Sequence, residues 1–203
     1  IHQAGERSRQ AFVSENCGAI SETLLESELF GHLKGSFTGA DEDREGLFSI
    51  ADKGTLFLDE ISDMSQNMQR KLLRTLQEGL VRPIGSKTSI QVDSRVVCAS
   101  NTDLKHLVER DQFRADLFYR LNVITIDVPP LRQRRGDIPL LVDHFLERLR
   151  QEEGVEKRFS VSARKALVEY GWPGNVRELW NVLRKVLLTC EVKEVARKHI
   201  AVF

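Results

Sequence analysis

The sequence predicts an α/β fold built on a parallel sheet, followed by a smaller unit made only of helices. Strand patterns alternate with amphipathic helical patterns as far as residue 130, and only helical patterns follow. This alternation is typical of a parallel sheet covered by helices. Near residue 133 the composition changes to a basic run that ends in a glycine: Arg132, Arg134, Arg135 and Gly136. We therefore predict an α/β domain over residues 1–133 and a helical domain over residues 134–203.

The charge and the cysteine content limit the classes of function that fit this sequence. The 203-residue chain has 30 Lys and Arg residues and 30 Asp and Glu residues, so its formal net charge is zero. This balance provides no bulk attraction to nucleic acid or to membranes. No apolar segment has the length of a membrane span. Cys17, Cys98 and Cys190 lack the spacing of a zinc site or a disulfide framework, so we expect reduced thiols and a cytoplasmic protein.

The first elements of the chain are a strand and a helix. Residues 1–10 are polar and predict the end of a helix and a loop. The strand begins at Ala11–Val13 and leads to Glu15, Asn16 and Cys17. A helix follows, with Ser21 as its N-cap and with apolar residues at spacings of three and four: Leu24, Leu25, Leu29 and Phe30.

The next segment, Gly31–Ala40, carries three glycines in nine residues and predicts a flexible loop. Phe37 lies at its centre. An aromatic side chain in such a loop either contacts a partner or folds back into the core. From this pattern alone, packing into the core is the favoured interpretation.

The segment Thr55–Leu58 predicts a strand buried on both faces, and two carboxylates, Asp59 and Glu60, follow it. In open α/β sheets, ligands bind at the carboxyl ends of the strands. One carboxylate can hold a metal ion, and the other can orient or deprotonate a water molecule, as in the Walker B motif of nucleotide hydrolases. The alternative is a strand that runs into an acidic turn, since this short pattern is common.

Helices and a hairpin are predicted before and after this strand in the sequence. A short helix over Gly46–Ala51 precedes it, and an amphipathic helix over Asp63–Gly79 follows. The segments Leu80–Ile84 and Thr88–Val92 predict a small hairpin. Another buried strand over Arg95–Asn101 would place Asn101 at the same sheet edge as the two carboxylates. The first domain then ends with a short helix capped by Asp103, a helix over Asp111–Leu121 that carries Arg114 and Arg120, and a strand over Val123–Val128.

The second domain is predicted to contain three helices and no strand. The helices are one capped by Asp137 that runs to Glu152, one that begins at Ser160 or Ser162 and runs to Tyr170, and one capped by Asn175 that runs to Cys190.

The most specific segment joins Glu28–His32 to Gly35–Ala40. It resembles the GAFTGA signature of bacterial enhancer-binding proteins, the activators of sigma-54 RNA polymerase, with Ser36 in place of the alanine. Other segments are similar to the central AAA+ ATPase domain of that family: Gly54–Glu60, Phe113–Leu117, Tyr119–Leu121, Pro130–Arg132 and Trp172–Leu179. The resemblance covers nearly the whole chain. It implies an AAA+ P-loop-type parallel sheet followed by a small all-helical lid.

The resemblance also implies roles around a bound ATP. Asp59 would help to coordinate Mg²⁺, and Glu60 would polarise the attacking water. Asn16 is similar to the residue that holds this glutamate away until the nucleotide state changes. Asn101 is similar to sensor I, which reads the γ-phosphate.

Basic residues complete the site that the resemblance implies. Arg114 and Arg120 resemble arginine fingers that act on the nucleotide of a neighbouring subunit, although helix arginines are more often solvated. Arg177 resembles sensor II, and Arg132 and Gly54 are further predicted nucleotide contacts. Fingers that act on a neighbour require an oligomer, commonly a hexameric ring in this family. By this resemblance, Phe37 would contact sigma-54 and would not pack into the core, so the earlier interpretation is reversed. All six residues of the loop would contribute to the contact: Gly35, Ser36, Phe37, Thr38, Gly39 and Ala40.

The chain departs from the family because the Walker A motif G-x-x-x-x-G-K-[ST] is absent. By resemblance this phosphate-binding loop and the first strand would precede Ile1, so the predicted sheet is N-terminally truncated. A fragment is favoured over a natural variant without the loop, because the other motifs stand at matching positions. We predict that this chain alone binds ATP weakly at best and does not hydrolyse it.

The predicted function is that of the central domain of an activator that couples ATP hydrolysis to remodelling of sigma-54 RNA polymerase at promoters. DNA would be bound only through a domain outside this chain. Two alternatives remain at this point. One is a nucleotide-independent module that binds sigma-54, which the missing P-loop supports. The other is a different AAA+ motor, against which the Gly35–Ala40 loop argues.

Overall fold

The computed structural model describes residues 1–154 and 156–200. The chain divides into two compact units, Ile1–Thr125 and Ile126–Phe203. In the described part of the chain, no helix is both long and apolar enough to cross a bilayer. The first unit contains strands and helices in alternation, in the order β1 (Phe12–Asn16), α1 (Glu22–Phe30), β2 (Gly31–His32), β3 (Arg44–Glu45), α2 (Leu47–Ile50), β4 (Thr55–Asp59), α3 (Gln66–Glu78), β5 (Leu80–Val81), β6 (Ile90–Gln91), β7 (Arg95–Cys98), α4 (Leu104–Glu109) and α5 (Ala115–Leu121).

The main sheet is parallel, as predicted, and has the strand order β1-β4-β7. Asn16 pairs with Asp59 across β1 and β4, and Leu58 pairs with Cys98 across β4 and β7. The carboxyl ends of all three strands therefore meet at one edge. The middle strand β4 is buried on both faces, because Leu56 and Leu58 are fully inaccessible and Thr55 is nearly so.

Helix α3 supplies much of the core of this unit. Its buried residues recur at helical spacing, namely Met68, Gln69, Leu72, Leu73 and Thr75. The helix begins later than predicted, because Ile61–Asp63 forms a turn of 3₁₀ helix and Ser65 is the N-cap. The backbone N–H of Met68 donates to the Ser65 hydroxyl oxygen at 3.2 Å. Gly79 ends the helix in a left-handed conformation, as predicted.

Three predictions at the ends of this unit are wrong. Residues 1–10 contain no helix but a series of four-residue turns, such as the one closed by the Gly5 N–H donating to the His2 carbonyl. Helix α5 begins at Ala115 and not at Asp111, because Asp111 has a left-handed backbone (φ 57°) and Arg114 has an extended one (ψ 129°), and a helix includes neither. The predicted strand over Val123–Val128 is absent, and no described strand pairs with this segment. Its apolar side chains are 63–80% exposed: Val123, Ile124, Ile126 and Val128.

The second unit is mainly helical, with α6 (Asp137–Glu153), β8 (Arg158–Phe159), α7 (Val161–Glu169), α8 (Asn175–Thr189) and β9 (Glu194–Val195). Its core surrounds the fully buried Trp172. The prediction of no strand is wrong, because β8 and β9 form a short parallel pair. Strands of two residues carry no recognisable alternation in the sequence.

The helix caps of the second unit differ in part from the prediction. Ser160 caps α7, and its hydroxyl accepts from the Ala163 N–H at 3.2 Å. Gly136 rather than Asp137 is the N-cap of α6, and Gly174 rather than Asn175 is the N-cap of α8. Asn175 has φ 53°, and its side-chain oxygen instead accepts from the Leu131 N–H at 2.8 Å.

Candidate functional site

The carboxylates predicted to form the site lie where β4 ends. The Asp59 Oδ1 atom accepts a hydrogen bond from the backbone N–H of Glu60 at 2.9 Å. Glu60 has a left-handed backbone (φ 52°, ψ 44°), so the chain turns sharply immediately after the strand. This conformation costs about 1–2 kcal/mol for a residue with a Cβ, and such strain is concentrated at functional sites. The sequence pattern did not predict it.

Gly18 lets the loop after β1 approach these carboxylates. A Cβ atom at this position would lie 2.7 Å from Asp63 Oδ2 and 3.0 Å from Glu60 Oε2. Asp63 is therefore a third carboxylate at the edge, and the sequence analysis did not select it. Its position four residues after Asp59 was the available signal.

Cys17 lies close to the carboxylates of this edge, and their negative charge affects the pKa of its thiol. Its side chain is 3% exposed, and its backbone N–H donates to the Asp59 carbonyl at 3.0 Å. Burial raises the pKa of the Cys17 thiol to about 12, and the neighbouring carboxylates add to this effect: Glu15, Asp59, Asp63 and Glu60. The thiol is therefore neutral, and the edge has the charge that attracts a cation.

The donor set at this edge is compatible with Mg²⁺ that is held mainly by water and phosphate. Among the described residues, no group of three or more His, Cys, Asp or Glu side chains is arranged to hold a metal ion. Mg²⁺ typically uses one or two carboxylates together with water and substrate phosphates. Asp59 alone would thus be sufficient as a protein ligand.

The two asparagines lie at the same edge, at the ends of the outer strands. Asn16 is the register partner of Asp59, and its Oδ1 atom accepts from the Gly18 N–H at 2.9 Å. Its carboxamide oxygen is thus engaged in a local turn. Asn101 is exposed three residues beyond β7, and its Oδ1 atom accepts from the Thr102 hydroxyl at 3.0 Å. The Ile61 N–H donates to the Ala99 carbonyl at 3.0 Å, which ties the two strand ends together.

Both predicted finger arginines belong to the N-terminal unit and already have partners there. Arg114 is the N-cap residue of α5, and its guanidinium pairs with both oxygens of Asp116 at 3.0 and 2.6 Å. This ion pair raises the pKa of Arg114 and lowers the pKa of Asp116. Arg120 is exposed, and it donates to the Leu76 carbonyl at 2.7 Å.

Gly54 lies away from the carboxylates. It stands before the first residue of β4, about 16 Å from Asp59 at the usual rise of a strand. A Cβ atom here would lie 2.2 Å from the Ala11 carbonyl oxygen, so close backbone packing explains the glycine. The fold does not bring it together with the other predicted site residues of this unit.

The other two predicted nucleotide contacts belong to the second unit. Arg132 is exposed in a 3₁₀ turn over Leu131–Gln133. Arg177 is exposed on the first turns of α8. It lines a cavity of about 320 Å³ together with Gly174, Glu178, Asn181, Val182 and Lys185.

The glycine-rich loop connects β2 and β3, which pair to form a short antiparallel stem. Gly31 pairs with Glu45, and His32 pairs with Arg44. Gly35 and Gly39 have φ of 78° and 98°, and a Cβ atom at either would contact nothing within 4 Å. These two glycines therefore serve the backbone conformation and not close packing.

The β5–β6 hairpin supports one side of this loop. The Leu33 N–H donates to the Ile84 carbonyl at 3.0 Å, and the Ile84 N–H donates to the Gly31 carbonyl at 2.9 Å. Ser36 packs so closely on Gly85 that a Cβ atom there would lie 2.9 Å from the Ser36 Cβ. Within the described residues, the buried Ser36 Oγ atom has no hydrogen-bond partner.

Phe37 is half-buried and does not enter the core of the unit. Its ring rests edge-on against the His32 ring, with centroids 5.0 Å apart. Thr38 and Gly39 are exposed beside it, and Ala40 is buried. The interpretation from pattern alone, in which Phe37 folds into the core, is therefore wrong.

Comparison with known proteins assigns both units. Residues 1–127 match the family described as the Sigma-54 interaction domain, and residues 132–202 match the AAA+ ATPase lid domain. The chain is 53% identical over 194 residues to the transcriptional regulatory protein ZraR of Salmonella typhimurium, covering 94% of this chain and 44% of that protein. It is 50% identical over 196 residues to the response regulator PilR of Pseudomonas aeruginosa, covering 96% of this chain and 44% of that protein.

A solved structure has the same fold. The crystal structure of NtrX from Brucella abortus in complex with ATP has a TM-score of 0.88 and 29% identity, and the match covers 98% of this chain and 46% of that one. The chain thus spans less than half the length of these relatives. The family match covers most of the chain, and its fold is that of AAA+ proteins. We conclude that the chain belongs to the sigma-54 interaction domain family, as the central AAA+ domain with its lid.

Proposed function

We propose that this chain is the part of a sigma-54-dependent activator that couples ATP hydrolysis to remodelling of RNA polymerase at promoters. The observation that carries the proposal is the glycine-rich loop between β2 and β3. It presents Phe37 and Thr38 on a stem of two-residue strands, with glycines in left-handed conformation on both sides. A segment of this kind can move as a unit and still offer an aromatic contact to a protein partner.

ATP and Mg²⁺ are the proposed ligands of the sheet edge. Asp59 would hold the metal, Glu60 would polarise the attacking water, and Asn16 and Asn101 would respond to the nucleotide state. The proximity of Asp59, Glu60 and Asp63 to the buried Cys17 supports the cation site. Bound Mg²⁺ would supply charge stabilisation to the phosphates.

The sequence offers no recognisable phosphate cradle. It contains no G-x-x-x-x-G-K-[ST] motif, so we propose that ATP binds weakly to this chain alone and that turnover does not occur. In a protein that supplies the cradle, Arg114 and Arg120 would act in trans. That role requires Arg114 to leave Asp116, and it requires a ring of subunits. Enhancer DNA would be bound by another domain. The free cysteine thiols support a cytoplasmic location.

Sigma-54 binding by the purified chain tests the proposal. The wild-type chain should bind sigma-54 in a titration, and Thr38→Ala should weaken this binding at least tenfold, a difference of about 1.4 kcal/mol. Thr189→Ala, which removes an exposed threonine hydroxyl from α8 in the second unit, is the matched control and should bind like wild type. Equal binding by the wild-type chain and both variants would argue against the loop as the contact.

An ATPase assay distinguishes the second candidate, a nucleotide-independent module that binds sigma-54. The absent cradle motif favours that candidate, whereas the Asp59–Glu60 pair favours an ATPase. We expect no Mg²⁺-dependent ATP turnover by this chain and clear turnover by the full-length natural product. A full-length product that binds sigma-54 without turnover would replace the ATPase proposal with the module. The family assignment removes the support for a different AAA+ motor.

A further inference from the structure

A buried polar pair lies at the base of the loop, and none of the roles above uses it. Ser27 is on the last turns of α1 and is 2% exposed, and His32 in β2 is 7% exposed. The Ser27 Oγ and His32 Nδ1 atoms are 2.6 Å apart. Buried polar side chains that satisfy each other are costly to separate, so this bond fixes the direction of the imidazole ring.

The same imidazole ring is the surface on which Phe37 rests. The two ring planes meet at 68° with centroids 5.0 Å apart, which is the favourable edge-to-face arrangement. Within residues 1–154 and 156–200, His32 is the only aromatic ring that Phe37 contacts. Gly35 and Gly39 beside it face open space, so they provide no packing that would hold the ring.

Ser27 forms two hydrogen bonds at the end of α1, one from its backbone and one from its side chain. The backbone carbonyl of Ser27 accepts from the Gly31 N–H, which closes α1. The side chain of Ser27 forms a hydrogen bond with His32, the residue that follows Gly31. One residue therefore fixes both the backbone exit from α1 and the ring that follows it. Alanine could accept the backbone bond but could not orient the ring.

We propose that Ser27 and His32 are positioning residues for the sigma-54 contact: Ser27 orients the His32 ring, and the His32 ring holds Phe37 in one orientation outside the core. This inference rests on the proposed function for the meaning of the contact. The positioning itself is a property of the free chain, so it is testable without sigma-54.

The first test uses nuclear magnetic resonance of the chain with labelled histidine and phenylalanine. Ring protons in an edge-to-face pair have displaced chemical shifts. Ser27→Ala should move the His32 and Phe37 resonances toward the values of free rings. Ser94→Ala is the control, because it also removes a serine hydroxyl with one hydrogen bond: the half-buried Ser94 Oγ donates to the Phe48 carbonyl at 2.9 Å. Unchanged His32 and Phe37 resonances in Ser27→Ala would overturn the proposal.

A second variant separates the hydrogen bond from the ring. His32→Gln retains an amide that can bond to Ser27 but lacks the ring. The Phe37 resonances should lose their displacement in this variant as well. If Phe37 keeps its shift in His32→Gln, the imidazole does not hold it, and the proposal fails.

Sigma-54 affinity supplies the functional readout. Ser27→Ala should weaken binding about fivefold relative to Ser94→Ala, the effect expected for one hydrogen bond. Equal affinities of these two variants would overturn the positioning role. If the wild-type chain itself does not bind sigma-54, the proposed function fails, and the spectra alone decide whether Ser27 and His32 position Phe37.

Discussion

The carboxylate edge of the sheet and the Gly35–Ala40 loop belong to the same unit but are held in different ways. At the edge, parallel strand pairing places Asn16 beside Asp59, and backbone hydrogen bonds tie the neighbouring turns together. The loop has a short stem, contacts with one hairpin and two glycines that face open space. Residues that define the edge are therefore expected to affect folding, whereas residues in the loop are expected to affect its conformation and its partner.

The largest expected effect is at Gly54, at the start of the central strand. Gly54→Ala would place a Cβ atom 2.2 Å from the Ala11 carbonyl oxygen, which belongs to backbone and cannot turn aside. We expect a loss of about 3 kcal/mol or more in the free energy of unfolding, measured by urea denaturation.

Gly5→Ala is the control for Gly54→Ala. Its nearest neighbours would lie at 3.4 Å, an ordinary contact distance. We expect a change within about 0.5 kcal/mol for this variant. If the two variants unfold at the same urea concentration, close packing at Gly54 does not control the position of β4.

A smaller effect is expected at Gly18, where the loop after β1 meets two carboxylates. Gly18→Ala would bring a methyl group 2.7 Å from Asp63 Oδ2, a side chain that can move. We expect a loss of about 1–2 kcal/mol in thermal unfolding. Asp63→Ala should relieve the clash, so the double variant should be more stable than the sum of the single effects predicts. Strict additivity would contradict this contact.

Replacement of Ser36 in the loop should stabilise the protein, in contrast to the glycine substitutions above. Its buried Oγ atom has no partner among the described residues, so Ser36→Ala should raise the free energy of unfolding by about 1 kcal/mol. Ser65→Ala, which removes the N-cap of α3, should lower it by about the same amount. Destabilisation by Ser36→Ala in urea unfolding would show that the hydroxyl finds a partner in solution.

The smallest effect on stability is expected at Gly39. Its φ of 98° disfavours any residue with a Cβ, but the space around it is open. Gly39→Ala should therefore cost about 1 kcal/mol or less, and it should weaken sigma-54 binding more than it weakens the fold. Gly35→Ala is the internal comparison, since it has the same open surroundings. A loss of stability as large as that of Gly54→Ala would remove the distinction between the loop and the sheet.

The sequence predicted best where burial alone controls the structure. The apolar segment Thr55–Leu58 was predicted as a buried strand, and the spacing in Gln66–Glu78 predicted a helix, because burial favours one periodicity in each. The parallel topology then brought Asp59 and Asn101 to one edge, as expected from that pattern, and it also placed Asn16 beside Asp59. The roles of these residues in nucleotide binding stay predictions.

Tertiary structure decided the features that depend on distant contacts. The alternating pattern of Val123–Val128 predicted a strand, but a strand also needs a neighbour to pair with its backbone, and none is present among the described residues. The left-handed turn at Glu60 depends on a backbone conformation that many sequences share. The approach of Asp63 to Gly18 brings together residues that are far apart in the chain. Burial periodicity is a local property that a sequence displays directly. The pairing of backbone groups and the packing of rings are settled only when the chain has closed around them.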